Sequence, residues 1–237
     1  MTFARKAIKF HRDLSFPESS LPNRIRVMNP FKENDQALNA TTSFLNKYFN
    51  DDRSRRLILG INPGRHGAGL TGIPFTDPKR LISECGIAYS GKMAHEPSSV
   101  FIYEMINAYG GPQKFYSDFY INSPCSLGFT SIEKNGSEKN YNYYDSKELM
   151  NATRSFMISS TEKLIGLGIK ADVAFCLGTG KNFNCLHKLN EEHHFFEQII
   201  PLEHPRFIMQ YKNRSKDVYI RKYLDSFYSF SGNIHSY

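Results

Sequence analysis

Four short polar clusters carry residue types on which a ligand site can be built: Asn62-Pro63-Gly64, Asn122-Ser123-Pro124, Gly178-Thr179-Gly180-Lys181 and Glu203-His204-Pro205-Arg206. Their amides, hydroxyls and imidazole donate and accept hydrogen bonds, and their glycines let backbone come close to a ligand. Two glycine-rich segments invite a nucleotide reading and fail it. The first, Gly64 to Gly69, runs G-x-x-G-x-G, the reverse of the dinucleotide fingerprint, with no clear helix directly after it. The second, Gly178 to Lys181, lacks the upstream glycine of a phosphate loop and has Asn182 where Ser or Thr would bind Mg²⁺. A dehydrogenase or NTPase is therefore not expected. The second segment can still hold a phosphate on backbone N–H groups at a helix start, or be a plain strand-to-helix turn. Cys85, Cys125, Cys176 and Cys185 form no C-x-x-C pair, and the eight histidines give no H-E-x-x-H spacing. Neither a metal site nor an iron–sulfur cluster is expected, and no cofactor.

The elements that must position these clusters follow from periodicity. Arg56 to Ile61 is a continuous apolar run closed by Asn-Pro-Gly, as in a strand buried on both faces of a parallel sheet. Further strands are predicted over 118–121, 172–177 and 198–202. Helices are predicted near 79–85, 98–109, 146–166 and 181–190 between them, and over 2–14 and 34–49 before them. Alternation at this spacing predicts an α/β fold, a three-layer α/β/α domain with a central, mainly parallel, four-stranded sheet. One domain over 1–237 is expected, with 1–50 as a helical part packed on the core. Residues 24–30 read as a short extended piece ended by proline, and the polar stretch 133–145 as a loop. In open α/β sheets ligands bind outside the carboxyl ends of the strands, and all four polar clusters fall there.

The chain has 237 residues, 40% of them hydrophobic and 14% aromatic, enough for a single folded core. The formal net charge is +7, compatible with a polyanionic partner. No apolar run is long enough to span a membrane, and the N-terminus interleaves Arg5, Lys6, Lys9 and Arg12 with its apolar residues, unlike a targeting segment. A soluble cytoplasmic protein with reduced thiols is expected.

Two segments in order carry a family resemblance. Gly60-Ile61-Asn62-Pro63-Gly64 followed by Thr71-Gly72-Ile73-Pro74-Phe75, and later His204-Pro205-Arg206, resemble the uracil-DNA glycosylase superfamily. They are most similar to its single-strand-selective monofunctional branch, whose first motif reads Gly-Met-Asn-Pro-Gly and Thr-Gly-Val-Pro-Phe. That branch also has an Asn-Tyr-Cys-Pro-Leu stretch after a strand, with Asn122 to Leu127 as counterpart here. The resemblance spans roughly residues 55–210. The second motif departs from the family, whose version reads His-Pro-Ser-Pro-Arg-Asn, which bears on the shape of the DNA-inserting loop.

The resemblance implies hydrolysis of the N-glycosidic bond of uracil, or a related deaminated or damaged base, flipped out of DNA. It implies that Asn62 positions the attacking water and that His204 donates a hydrogen bond to the leaving base. Phe75 would stack on the base, Asn122 would read its edge with paired donor and acceptor, and Pro63 and Gly64 would shape the turn beside it. Arg206, Lys181, Lys212 and Arg214 would grip phosphates, and one of Phe207, Ile208 and Met209 would enter the gap left by the base, with ordinary packing of all three as the alternative. The basic run from Arg206 to Lys222 has one nearby acid in sequence, Asp217. No Lys lies within the motifs, so a monofunctional enzyme that leaves an intact abasic strand is expected. A monomer acting on single- or double-stranded DNA is the expected form. Excision mainly of another base, such as xanthine or an oxidised pyrimidine, remains an alternative. A non-catalytic DNA-binding module and a hydrolase of free nucleosides remain the alternatives of other classes.

Overall fold

The computed structural model describes residues 1–231. Residues 232–237, the end of the single domain expected over 1–237, lie outside the described residues. The strands are β1 (Ile25–Met28), β2 (Arg55–Leu59), β3 (Phe119–Asn122), β4 (Gly128–Ile132), β5 (Glu138–Tyr141), β6 (Ile169–Leu177) and β7 (Gln198–Leu202). A parallel sheet of order β3-β2-β6-β7 forms the centre. Leu57, Ile58 and Leu59 of β2 are all buried, as the continuous apolar run requires of a strand covered on both faces.

Aromatic side chains attach helices to both faces. On one face, Phe119 of β3 and Phe175 of β6 meet Phe227 of the helix Lys216–Ser231 at ring separations of 4.7 and 4.8 Å. Tyr223 of that helix in turn meets Phe101 of the helix Pro97–Tyr109 at 5.2 Å. On the other face, Tyr120 meets Phe3 of the helix Phe3–Asp13 at 5.0 Å and Phe49 at 5.4 Å. Successive residues Phe119 and Tyr120 thus point to opposite layers, as strand alternation dictates. The result is the three-layer α/β/α architecture expected from the sequence.

Helix starts are local and chemical. Ser146 accepts the Leu149 N–H at 3.1 Å ahead of the helix Lys147–Ile165, and Asp77 accepts the Arg80 N–H at 2.8 Å ahead of the helix Pro78–Ser83. No helix among the described residues is long and apolar enough to cross a membrane.

A second sheet departs from the sequence reading. β1, β4 and β5 form an antiparallel sheet of order β1-β4-β5. The extended piece near 24–30 is one of its edges, and β5 lies inside the stretch expected to be loop. β5 reads Glu-Lys-Asn-Tyr and buries none of its four residues, so it has no alternating apolar pattern. Backbone pairing to β4 defines it, with Phe129 opposite Tyr141 and Thr130 opposite Asn140.

Candidate active site

At the carboxyl ends of the parallel strands lies a cavity of about 330 Å³, within the size range of small-ligand sites. Asn62, Pro63, Gly64, Phe75, His204, Arg206 and Phe207 line it, so the structure brings these seven expected residues together.

Asn62 follows β2 and is fastened by the β5 hairpin. Its Nδ2 donates to the Tyr141 carbonyl at 3.3 Å, and its Oδ1 accepts the Tyr143 N–H at 3.1 Å. An amide oxygen has two lone pairs, so one remains for a water or substrate group. The antiparallel sheet therefore clamps the amide of the first motif, and it also brings Asn140, Asn142 and Tyr144 to the cavity wall.

Phe75 has a φ of +53°, a left-handed conformation rare for an aromatic residue. Neighbouring hydrogen bonds hold it there. The Ser99 hydroxyl donates to the Phe75 carbonyl at 2.6 Å and accepts the Asp77 N–H at 3.1 Å. Such strain persists where the surroundings over-determine it, commonly at ligand sites. A Cβ on Gly60 would lie 3.1 Å from both the Phe75 ring and the Ser123 hydroxyl, so the bare backbone of Gly60 makes room for both.

His204 precedes the helix Pro205–Tyr211 and caps it, its Nδ1 accepting the Arg206 N–H at 3.1 Å. That bond fixes Nδ1 as the acceptor and leaves the hydrogen on Nε2. Burial, and then the neighbouring positive charge of Arg206, lower its pKa to about 4, so the ring is a neutral donor at physiological pH. Its ring lies 5.7 Å from that of Phe75.

Asn122 is placed differently from the expectation. It is 2% exposed, and its amide is taken up inside the protein. Nδ2 donates to the Tyr120 hydroxyl at 3.1 Å, while Oδ1 accepts the Ser123 N–H at 2.8 Å and the Ser126 hydroxyl at 3.1 Å. The neighbouring Ser123 lines the cavity instead. The reason is register. Aligning Cys125 and Leu127 with the Cys and Leu of the family's Asn-Tyr-Cys-Pro-Leu puts Ser123, not Asn122, at the Asn position. A shift of one residue along a strand exchanges the two faces.

The basic residues separate into two groups. Lys216 pairs with Glu104 at 2.6 Å and Lys222 with Glu203 at 2.7 Å, so the run is less free than its single acid in sequence suggested. Lys212 and Arg214 are exposed, without an ion pair among the described residues, and lie beyond the cavity lining. Lys181 is exposed at the start of the helix Lys181–His193 and lines a trough that shares Ile61, Tyr144, His204 and Phe207 with the main cavity. Asn182 is structural: its amide donates to the carbonyls of Leu177 at 3.1 Å and Gly60 at 3.3 Å and accepts the Tyr143 hydroxyl at 2.7 Å. At the mouth, Phe207 and Tyr211 are 42% and 65% exposed with their rings 5.5 Å apart.

Sequence reasoning did not single out Glu96, Asn140, Asn142 or Tyr144, and it named Ser123 only as part of a polar cluster, without a role; all five line the cavity. The carboxyl-end rule points at Ser123; the others come from loops and from β5, which carry no such signal.

This fold and this site define a DNA glycosylase. Residues 46–227 match the model of the uracil DNA glycosylase superfamily, and the chain belongs to that superfamily. It is a monofunctional base-excision repair glycosylase, which hydrolyses an N-glycosidic bond in DNA. Within the family, the chain is similar to a solved structure described as wild-type SMUG2 from Pedobacter heparinus. The two share 61% identity over 98% of this chain and 100% of that one, with a TM-score of 0.96. No curated protein matches significantly.

Proposed function

We propose that the cavity takes a uracil, or a related deaminated base, rotated out of DNA, and that His204 and Asn62 carry the hydrolysis between them. The observation that supports this most is His204: a neutral imidazole with Nδ1 tied to backbone, its Nε2–H left for the base, and the ring beside Phe75.

The base stacks on Phe75, which replaces part of the stacking lost on flipping. The Ser123 hydroxyl, which makes no side-chain hydrogen bond among the described residues, meets the base edge, and Asn122 holds Ser123 in place through its backbone N–H. As the glycosidic bond lengthens, positive charge grows on the sugar and negative charge on the base. Nε2–H of His204 stabilises the departing anion as an oxyanion-type donor. The free lone pair of Asn62 Oδ1 orients the water that attacks the sugar carbon. Pro63 and Gly64 shape the wall between them. A Cβ on Gly64 would contact Asn140 and Glu96 at 3.4 and 3.9 Å, so a side chain there narrows the cavity without a clash. At its mouth and beyond it, Arg206, Lys181, Lys212 and Arg214 neutralise phosphates while Phe207 occupies the gap in the stack. A single domain acting as a monomer suffices for this arrangement, since one chain supplies every residue named.

The test is base release from a labelled oligonucleotide carrying one uracil, read with wild type, His204→Ala and Asn62→Ala. Loss of His204 is expected to slow excision by about 10²–10³-fold, with a further large loss for Asn62→Ala. Base release by both variants at the wild-type rate would remove the two roles. A wild type that binds DNA but leaves uracil, xanthine, hypoxanthine and oxidised pyrimidines untouched would favour the non-catalytic reading.

A further inference from the structure

We propose that Glu96 is a catalytic residue of this glycosylase, the carboxylate that takes the proton from the attacking water. The inference rests on the glycosylase reading of the cavity and adds a group that neither motif contains.

Asn62 is an amide and cannot accept a proton under these conditions. It orients a water and leaves the hydrolysis without a base. Glu96 is the one carboxylate among the described residues that line the cavity. Its backbone is fixed: the Glu96 N–H donates to Asp77 Oδ2 at 2.8 Å. Its side chain lies against the loop that follows Asn62. A Cβ on Gly67 would come within 2.0 Å of Glu96 Oε2, and one on Gly64 within 3.9 Å of Oε1, so the carboxylate packs on bare glycine backbone.

Within this setting Glu96 Oε2 is buried and has no hydrogen-bond partner. Glu104 and Glu203 also bury an unpartnered Oε2, but each is neutralised through Oε1 by a lysine, Lys216 and Lys222. Glu96 forms no ion pair or side-chain hydrogen bond among the described residues. A buried carboxylate without partners is costly to folding, and such groups concentrate where chemistry uses them. The charged and titratable groups around it are Asp77 and Arg80 at the start of the helix Pro78–Ser83, and His95 beside it in sequence. Arg65 and His66 lie on the glycine loop, and His204 and Arg206 at the start of the helix Pro205–Tyr211. Burial first, and then the negative charge of Asp77, raise the Glu96 pKa to about 7, against the pull of Arg206. A base poised near the working pH is suited to proton transfer.

The step balances. The bond between the sugar carbon and the base nitrogen breaks, and its electron pair leaves with the base, held by His204 Nε2–H. The water oxygen bonds the same sugar carbon, and one of its protons passes to the Glu96 carboxylate. That proton then passes through solvent to the base anion, which leaves a neutral base, an abasic sugar and the carboxylate restored.

The test is single-turnover base release from a uracil oligonucleotide between about pH 5 and pH 9, with wild type, Glu96→Gln and Glu96→Asp. Wild type is expected to speed up with pH and level off above about 7. Glu96→Gln is expected to be slower by about 10²-fold and to lose that rise, with oligonucleotide affinity unchanged, while Glu96→Asp keeps the rise at an intermediate rate. A Gln variant within about threefold of wild type, or one that keeps the rise, overturns the proposal. So does a wild-type rate that falls as pH passes 7. If Glu96→Gln does not fold, Gly67→Ala, which displaces the carboxylate and leaves Asn62 and His204 unchanged, must show the same slowing. Failure of the glycosylase reading itself looks different: wild type then releases no base at any pH.

Discussion

At the amino end of β2, Arg55 is fully buried, and its guanidinium makes five hydrogen bonds: to the carbonyls of Tyr116, Arg53 and Tyr48 and to both oxygens of Asp51. Five is the full donor capacity of the group. The rings of Phe3 and Phe49 flank it at 5.0 and 4.7 Å. Beyond the carboxyl end of the same strand, Asn62 keeps a lone pair free, His204 keeps an N–H free and Glu96 keeps a buried oxygen without a partner. Both ends are polar and partly or wholly buried. One end spends every polar group on the fold, and the other holds several in reserve. The difference separates a structural charge from a reactive one: full satisfaction locks geometry, whereas incomplete satisfaction leaves binding energy for a substrate.

The fully satisfied end of the strand depends most on Arg55. Replacing it with Met leaves Asp51 and the Tyr116 and Tyr48 carbonyls without their partner, and is expected to cost about 3–5 kcal/mol of stability. Urea unfolding measures this. A loss below about 1 kcal/mol would mean that the buried guanidinium is not the structural member of the pair.

Acid sharpens the contrast next. His11, buried against the Tyr120 hydroxyl, and His204 are both held neutral, with pKa values lowered to about 3 and about 4, chiefly by burial. Below about pH 6.5 the unfolded chain binds these two protons and the folded chain does not. Their contribution to stability is therefore complete above about 6.5 and is lost as pH falls toward 4 and then 3. Each contributes at most about 1.4 kcal/mol per pH unit in its window. Glu96 runs the other way. Its folded pKa is raised, so the folded chain binds its proton first, and stability falls as pH climbs from the ordinary carboxylate value to about 7. Glu96→Gln should consequently steepen the rise of stability with pH between about 5 and 6.5. Thermal unfolding at several pH values reads this, and an unchanged slope would show that Glu96 titrates alike in both states.

The smallest effects belong to the exposed cations. Lys212→Ala and Arg214→Ala should each lower the salt dependence of oligonucleotide binding by about one unit of slope and leave the pH profile of excision alone. A variant that keeps the wild-type slope does not touch phosphate.

How much of this was legible in the sequence depended on whether the signal was local. The apolar run of β2 and the motif after it announced a buried parallel strand with a ligand turn at its end, and His204 before Pro205 announced a second strand end. β6 proved longer than the predicted 172–177 because Ile169, Lys170 and Ala171 extend it, and the exposed Lys170 and Ala171 interrupt its apolar run. β5 was invisible, since its one apolar residue, Tyr141, gives no alternating pattern and its polar residues are held by backbone pairing and side-chain contacts. Asn122 and Ser123 are adjacent polar residues at one strand end; alternation turns one inward and the other to the cavity, and the alignment of Cys125 and Leu127 with the family motif says which. Glu96, followed by Pro97, reads as an ordinary helix entry. Its significance arises from packing on Gly67, which no local pattern records.

The capping bond between His204 Nδ1 and the Arg206 N–H has a bearing on which lesions can be removed at all. Putting a second proton on the ring would break that bond, so the fold discourages the imidazolium and restricts His204 to donating rather than transferring a proton. On the role proposed for His204, the base departs as an anion. Adenine and cytosine hold their ring protons tightly, whereas deamination replaces an amino group with a carbonyl and makes the base more acidic. Under that role, the acidity of the leaving group favours a deaminated base over its amino parent, whereas thymine, about as acidic as uracil, must be told apart by the shape of the cavity and its contacts with the base.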